Sequence, residues 1–247
     1  MGQVAVVTGG SRGIGAATAV LLAERGWGVC VGFREAAGAA TEVVEACRAY
    51  AVPAVAVGGD LRRSADVAAL FAAADELGRL TVLVNNAGIV DRRARVDEMS
   101  EARIERMLTT NVLGPMLCAG AAVRRMSTRH GGGGGVVVNV SSAASRLGSP
   151  AEYVDYAASK GAVDTFTIGL ARELADEGVR VNAVRPGLIE TGIHASGGQP
   201  DRVERLREAV PMKRPGTAAE VAEAIAWLCS PAASYVTGAL LDVSGGR

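Results

Sequence analysis

The sequence predicts an α/β protein: one doubly wound parallel sheet of about seven strands with helices on both faces, in a single domain over residues 1–247. Three observations predict it. Short apolar runs alternate with alanine-rich or amphipathic stretches from end to end. No internal repeat and no shift in composition marks a boundary. A glycine-rich loop follows the first apolar run, where such a sheet opens its ligand crevice.

Val4–Val7 reads as a buried strand, and Thr8-Gly9-Gly10-Ser11-Arg12-Gly13-Ile14-Gly15 leads from it into a helix ending near Glu24. Gly26 fits that helix's C-terminal cap. Glycines here let the backbone approach a diphosphate, and the helix N-terminus offers free N–H groups. The spacing is neither G-x-G-x-x-G nor a Walker loop. A plain strand-to-helix turn would need fewer glycines. Gly9-Gly10-Ser11-Arg12-Gly13 also spells G-x-S-x-G, the nucleophile elbow of a serine hydrolase. Against that reading, Ser11 has no upstream loop to supply a second oxyanion donor. Only His130 and His194 could serve as its base.

Val29–Phe33 is the second strand. Where dinucleotide folds place an acid for the ribose 2′-hydroxyl, this chain has Phe33-Arg34. Arg34 and Arg12 would pair with a 2′-phosphate, so NADP(H) is expected over NAD(H). The plain alternative is two solvated arginines. A helix over Ala37–Ala49, a strand over Ala54–Val57 and then Asp60-Leu61 follow. Ser64 is expected to cap a helix to about Leu77, with Asp66 in its first turn.

Thr81–Val84 is strand four, followed by Asn85-Asn86-Ala87-Gly88, small and amide residues suited to a ligand at the sheet edge. A helical region runs from Ser100 to about Arg129, with Asn111 inside it and a break expected at Gly114-Pro115. Asn111 also reads simply as a surface amide. Gly131–Gly135 is expected to be a flexible surface tip. Strand five, Val136–Val140, ends in Ser141-Ser142.

Tyr156 and Lys160 stand one turn apart on one face of a helix over Asp155–Leu174. A phenol with a pKa of about 10 is a poor base at neutral pH. A neighbouring ammonium favours the phenolate, giving a proton donor and acceptor for alcohol–carbonyl interconversion. On its own, Tyr-x-x-x-Lys is more often a solvated helix face, so its weight comes from the other motifs. Strand six, Val179–Val184, leads into Pro186-Gly187-Leu188-Ile189-Glu190-Thr191. The Gly-, Ser- and Pro-rich segment after it contains His194 and is long enough to be a lid, at about 188–210. Thr217 and Glu220 form a capping box for a helix to Cys229, and Ala239–Val243 is a last strand.

Lys+Arg and Asp+Glu balance at 26 each, which argues against a nucleic-acid partner or an anionic membrane surface. Cys30, Cys47, Cys118 and Cys229 are widely spaced and are expected to be reduced thiols in a cytoplasmic protein. With two histidines, no metal is expected. No secretory leader or membrane span is expected, and Val6 occupies the place where myristoylation wants Ser or Thr.

Together these motifs resemble the short-chain dehydrogenase/reductase family over essentially the whole chain. Thr8 to Gly15 matches its Thr-Gly-x-x-x-Gly-x-Gly, Asn85 to Gly88 its Asn-Asn-Ala-Gly, and Tyr156 with Lys160 its Tyr-x-x-x-Lys. Its asparagine falls on Asn111 and its serine on Ser142, with Ser141 kept open by the spacing to Tyr156. Tyr153 has no lysine four residues on and does not fit. The wording around Val136–Ala162 is similar to sugar dehydrogenases, ketoacyl reductases and uncharacterised oxidoreductases.

The resemblance implies a Rossmann fold and hydride transfer between NADP(H) and a small-molecule alcohol or carbonyl. Tyr156 would exchange the proton. Lys160 would bind the nicotinamide ribose and lower the phenol's pKa. Ser142 would hold the substrate oxygen, and Asn111 a relay water. Gly9, Ser11, Gly13 and Ile14 would line the diphosphate, with Arg12 and Arg34 at the 2′-phosphate. Asp60-Leu61 would meet the adenine, and Asn86, Ala87 and Gly88 the ribose side. Pro186, Gly187, Ile189 and Thr191 would meet the nicotinamide. A homotetramer through the long helices and last strand is implied too. The competing readings are a catalytically silent dinucleotide-binding regulator and the Ser11 hydrolase.

Overall fold

Seven apolar runs, most of them too short to make a helix, pair side by side as one parallel sheet in the order β3-β2-β1-β4-β5-β6-β7. They are β1 (Gln3–Thr8), β2 (Gly28–Phe33), β3 (Ala54–Gly58), β4 (Arg79–Asn85), β5 (Gly135–Val140), β6 (Val179–Pro186) and β7 (Leu240–Val243). The computed structural model describes residues 2–192 and 197–247; His194 lies outside them. The main helices are α1 (Gly13–Glu24), α2 (Ala37–Arg48), α3 (Ser64–Leu77), α4 (Glu101–Leu108) and α5 (Gly114–Met126). After them come α6 (Ala144–Leu147), α7 (Val154–Glu173), α8 (Arg202–Leu206) and α9 (Ala218–Cys229). All seven expected strands are present, each within two residues of its expected ends.

The period of two along β1 divides the core. Ala5 and Val7 face Leu22, Val44 and Ile225 on one side. Val4 and Val6 face Phe71, Met126 and Leu174 on the other. Helices therefore cover both faces, and the strands are apolar on both. The sheet order reverses between β1 and β4, which leaves a crevice beyond their C-terminal ends.

Three local expectations change. Ser64 does not cap α3; it is the first helical residue, and Arg63 precedes it without a side-chain cap. Instead the Asp66 carboxylate accepts the Asp60 N–H at 2.8 Å and closes the loop before the helix. The region from Ser100 breaks beside Gly114-Pro115 as expected, but Asn111 is not a surface amide. A π-helical turn, Thr109–Leu113, separates α4 from α5, and Asn111 inside it is fully buried. Pro115 explains the break: it has no N–H and is tolerated in the first turn of α5. The glycine run before β5 is a packed crossing. The Gly134 N–H donates to the Met126 carbonyl at 2.7 Å, and a Cβ on Gly134 would stand 2.6 Å from the Gly178 oxygen.

A buried amide chain, invisible in the sequence, ties the site's strands to its helix. The Asn85 side chain donates to Asn139 Oδ1 at 3.0 Å, and the Asn139 side chain donates to Thr167 Oγ1 at 2.8 Å. β4, β5 and α7 are thus held in register by bonds that would be costly to leave unmade. No helix among the described residues is long and apolar enough to cross a membrane.

Phe71 is fully buried under α5, with the Arg125 guanidinium 5.3 Å from its ring centre. Phe71→Ala is expected to cost about 3–5 kcal/mol, and Tyr50→Ala, at an exposed site, about 0.5 kcal/mol or less. Urea denaturation of the two variants checks the contrast.

Candidate active site

A cleft of about 760 Å³ opens beyond the C-terminal ends of the strands. The loop after β1 forms its floor. The Thr8 hydroxyl accepts the N–H groups of Asn86 and Ala87 at 3.0 and 3.1 Å. The Asn86 side chain donates back to the Thr8 and Gly9 carbonyls, both at 2.9 Å. This clasp presses the glycine loop onto the end of β4. Gly9 has φ +61°, and a Cβ there would stand 2.8 Å from Ala87 Cα. A Cβ on Gly15 would collide with the Asn86 amide and the Gly9 carbonyl. Ser11, Arg12, Gly13 and Ile14 line the cleft. The first turn of α1 carries no acidic residue and no side-chain cap, so its N–H groups face outwards with the positive end of the helix dipole. That is a cradle for the diphosphate of a dinucleotide.

Arg34, Asp60 and Leu61 line the same cleft beyond β2 and β3. The Asp60 carboxylate is paired with Arg62. Arg62 Nε donates to both its carboxylate oxygens at 2.9 Å, and this bond above all holds its pKa down to about 2. Sequence reasoning missed Arg62, although Asp-x-Arg just past a strand was visible. It also missed Glu35, whose carboxylate takes the Arg34 Nε–H at 2.8 Å.

The opposite wall comes from β5 and α7. Ser142 Oγ accepts the Ala144 N–H at 3.1 Å, and Ser142 lines the cleft beside Tyr156. Ser141 is buried, and its hydroxyl donates to the Lys160 carbonyl at 3.2 Å. Of the two serines, Ser142 addresses the tyrosine. Lys160 Nζ donates to the Val140 carbonyl at 2.7 Å and lies 5.7 Å from the Tyr156 ring centre. Burial pushes the Lys160 pKa down to about 8, with Asp164 pulling it back up. Burial also pushes the Tyr156 pKa up, while the neighbouring Ser142 hydroxyl pulls it down. In this cleft, with no ligand bound, burial outweighs the pull of Ser142, so the phenol's pKa stands above its ordinary value.

Asn111 does not line the cleft. Its Oδ1 accepts the Ile89 N–H at 2.8 Å, and its Nδ2 donates to the Ile89 carbonyl at 2.9 Å and Ser159 Oγ at 3.1 Å. It braces the wall from behind. Ala87, Gly88, Pro186, Gly187, Ile189 and Thr191 all line the cleft as expected. Tyr153, which matched no motif, lines it too, and its hydroxyl is bonded to Gln199. Arg202 from α8 lies over the Tyr153 ring at 5.1 Å and donates to Glu152 at 2.6 Å. No spacing in the sequence announces this group, because it joins two loops 50 residues apart.

The hydrolase arrangement does not form with His130. Ser11 lies beyond the C-terminal end of β1, while His130 lies before the N-terminal end of β5. In a parallel sheet those are opposite edges.

A family model described as enoyl-(acyl carrier protein) reductase matches residues 9–247. An uncharacterised oxidoreductase, YgfF, of Escherichia coli (strain K12) is 52% identical, covering 99% of each chain. A short-chain dehydrogenase of Burkholderia cenocepacia J2315, solved with NADP, is 33% identical with a TM-score of 0.90, over 100% of this chain and 98% of that one. A 3-ketoacyl-(acyl-carrier-protein) reductase of Brucella melitensis, solved with NADH, is 33% identical with a TM-score of 0.92, over the same shares.

Two outcomes follow from the geometry. Gly15→Ala should weaken NADPH binding about tenfold or more, read by nicotinamide fluorescence, because the clasp must open to admit the methyl group. Lys160 should make stability rise with pH between about 8 and its ordinary 10.5. In that window the unfolded chain binds the proton and the folded chain does not. Lys160→Met should flatten that part of the slope, measured by urea denaturation across the window against the wild type.

Proposed function

Because this chain belongs to the short-chain dehydrogenase/reductase family, whose solved relatives include NADP and NADH complexes, we propose that it transfers a hydride between NADP(H) and a small alcohol or carbonyl compound. The observation that carries the reading is the meeting of Tyr156, Ser142 and Lys160 on the wall of the cleft whose floor is the glycine cradle. A bound nicotinamide supplies the hydride to a carbonyl carbon, or takes it from a carbinol carbon. The rest is done by side chains. Ser142 Oγ donates to the substrate oxygen and fixes it beside the phenol. Tyr156 Oη gives its proton to that oxygen in reduction and takes the hydroxyl proton in oxidation. Lys160 binds the nicotinamide ribose. Asn111 serves the proton relay through the wall it braces, its side chain being bonded to Ile89 and Ser159.

A phenol is neutral at pH 7, and burial pushes the Tyr156 pKa further up, which suits proton donation and hence reduction. Oxidation needs the phenolate, so its rate should climb with pH while that of reduction falls. Arg12 and Arg34 favour NADP(H), with Arg62 beside them. Residues 1–247 act as one dinucleotide-binding domain, with 188–210 as its substrate lid. Exposed Leu108, Leu113 and Met116 on the α4–α5 face support a homotetramer. Four buried free cysteines suit the reducing cytoplasm.

The test is a titration of wild type and Arg34→Ala with NADPH and NADH, followed by a screen of sugars, diketones and cyclic ketones with the tighter cofactor. NADPH should bind more tightly, and Arg34→Ala should remove the difference. Equal or tighter NADH binding would sink the cofactor choice. Tyr156→Phe should lower kcat about 10²–10⁴-fold with cofactor binding unchanged.

A further inference from the structure

Arg103 is a buried arginine on α4 outside every motif of the site. Its Nε donates to Asp155 Oδ2 at 2.8 Å and one Nη to Asp155 Oδ1 at 3.2 Å, a two-point fork. Its other Nη donates to the Arg92 carbonyl at 2.7 Å. Asp155 is the residue before the reacting tyrosine, and its Oδ1 also accepts the Tyr156 N–H at 2.9 Å. Arg92 belongs to the segment whose Ile89 and Val90 line the cleft. A second bond runs alongside, from the Ala94 N–H to the Glu152 carbonyl at 3.1 Å. One guanidinium therefore joins α4, the first turn of α7 and the wall after β4.

The arrangement is more than a stabilising pair. A buried ion pair is a weak source of stability compared with apolar residues of the same volume, because both charges must be desolvated. What it supplies here is geometry. A fork fixes the plane of the Asp155 carboxylate, and that carboxylate fixes the backbone on which Tyr156 is mounted. The remaining donor fixes the wall against which the substrate lies. Asn111 braces the same segment from the next turn, where its Nδ2 also meets Met107 Sδ at 3.1 Å.

We propose that Arg103 is a positioning residue for the proposed reaction: by bridging Asp155 and the Arg92 carbonyl it sets the distance between the Tyr156 hydroxyl and the substrate-facing wall. The proposal rests on the functional reading above. Displacements near 1 Å in such a site lower rates by up to about 100-fold.

The experiment compares wild type, Arg103→Lys, Arg103→Met and Asp155→Asn. It reads kcat and KM on the best compound of the screen, NADPH affinity, Tm, and hydrogen exchange of the amides at 154–158. Arg103→Met should lose about 10–100-fold in kcat, keep its NADPH affinity within about twofold, and exchange faster at 154–158. Arg103→Lys should recover most of the Tm but not the kcat, because one ammonium cannot keep the fork and the carbonyl bond together. A lysine variant with both wild-type Tm and wild-type kcat would overturn the proposal. So would a methionine variant whose folded fraction turns over at the wild-type rate. If wild type binds a dinucleotide but turns over no compound, the functional reading fails instead. Exchange at 154–158 then decides the positioning role: unchanged rates in Arg103→Lys and Arg103→Met overturn it.

Discussion

The clasp between Thr8 and Asn86 is the constraint on which the site depends. It joins the ends of the two central strands, β1 and β4, where the sheet order reverses. A crossover alone leaves only a gap between two loops. The clasp turns that gap into a rigid floor, because two backbone segments then approach within the radius of a side chain. Glycine at positions 9 and 15 is the condition for that approach, and the free N–H groups at the start of α1 are its product. An anion bound there meets donors that need not reorganise, which is how a neutral protein holds a diphosphate without a lysine in the loop.

On the other wall the balance runs the other way. Lys160 is buried and Tyr156 half-buried, and this loss of solvent pushes each towards its neutral form. The carbonyl of Val140 partly compensates the ammonium, and Asp164 adds a charge one turn along. The lysine's pKa is thereby pushed down to about 8 and the phenol's above its ordinary value. Both groups are then responsive to whatever charge enters the cleft.

Much of this was legible in the sequence, for a physical reason. Strands buried on both faces are continuous apolar runs, so all seven could be read, and the glycine loop declares itself by where it falls between β1 and α1. Tyr156 and Lys160 were legible because helical spacing converts sequence distance into spatial distance. What was not legible lies between elements. Asp60's neutralisation by Arg62, the Tyr153–Arg202–Glu152 group and the fork of Arg103 all depend on loop paths that no periodicity encodes. Asn111 was half legible. Its motif and the break at Gly114-Pro115 were visible, but not the burial that the π turn imposes on it.

On the proposed reading, the choice between the two dinucleotides would turn on Glu35. In the absence of a ligand the Arg34 guanidinium is already paired, but the pair is 45% and 75% exposed. Such a pair is worth about 1 kcal/mol or less, and salt weakens it further. A 2′-phosphate brings a double charge and acceptor oxygens to the same guanidinium, with Arg12 and Arg62 nearby, and displaces Glu35 at little cost. A ribose 2′-hydroxyl offers one weak contact and leaves the Arg34–Glu35 pair in place, where Glu35 itself can accept the hydroxyl's hydrogen bond. On the proposed NADP(H) reading, the hold of Arg34 on the phosphate would weaken as ionic strength rises. An arginine after β2 therefore favours the phosphate only to the extent that its neighbouring acid lets it go.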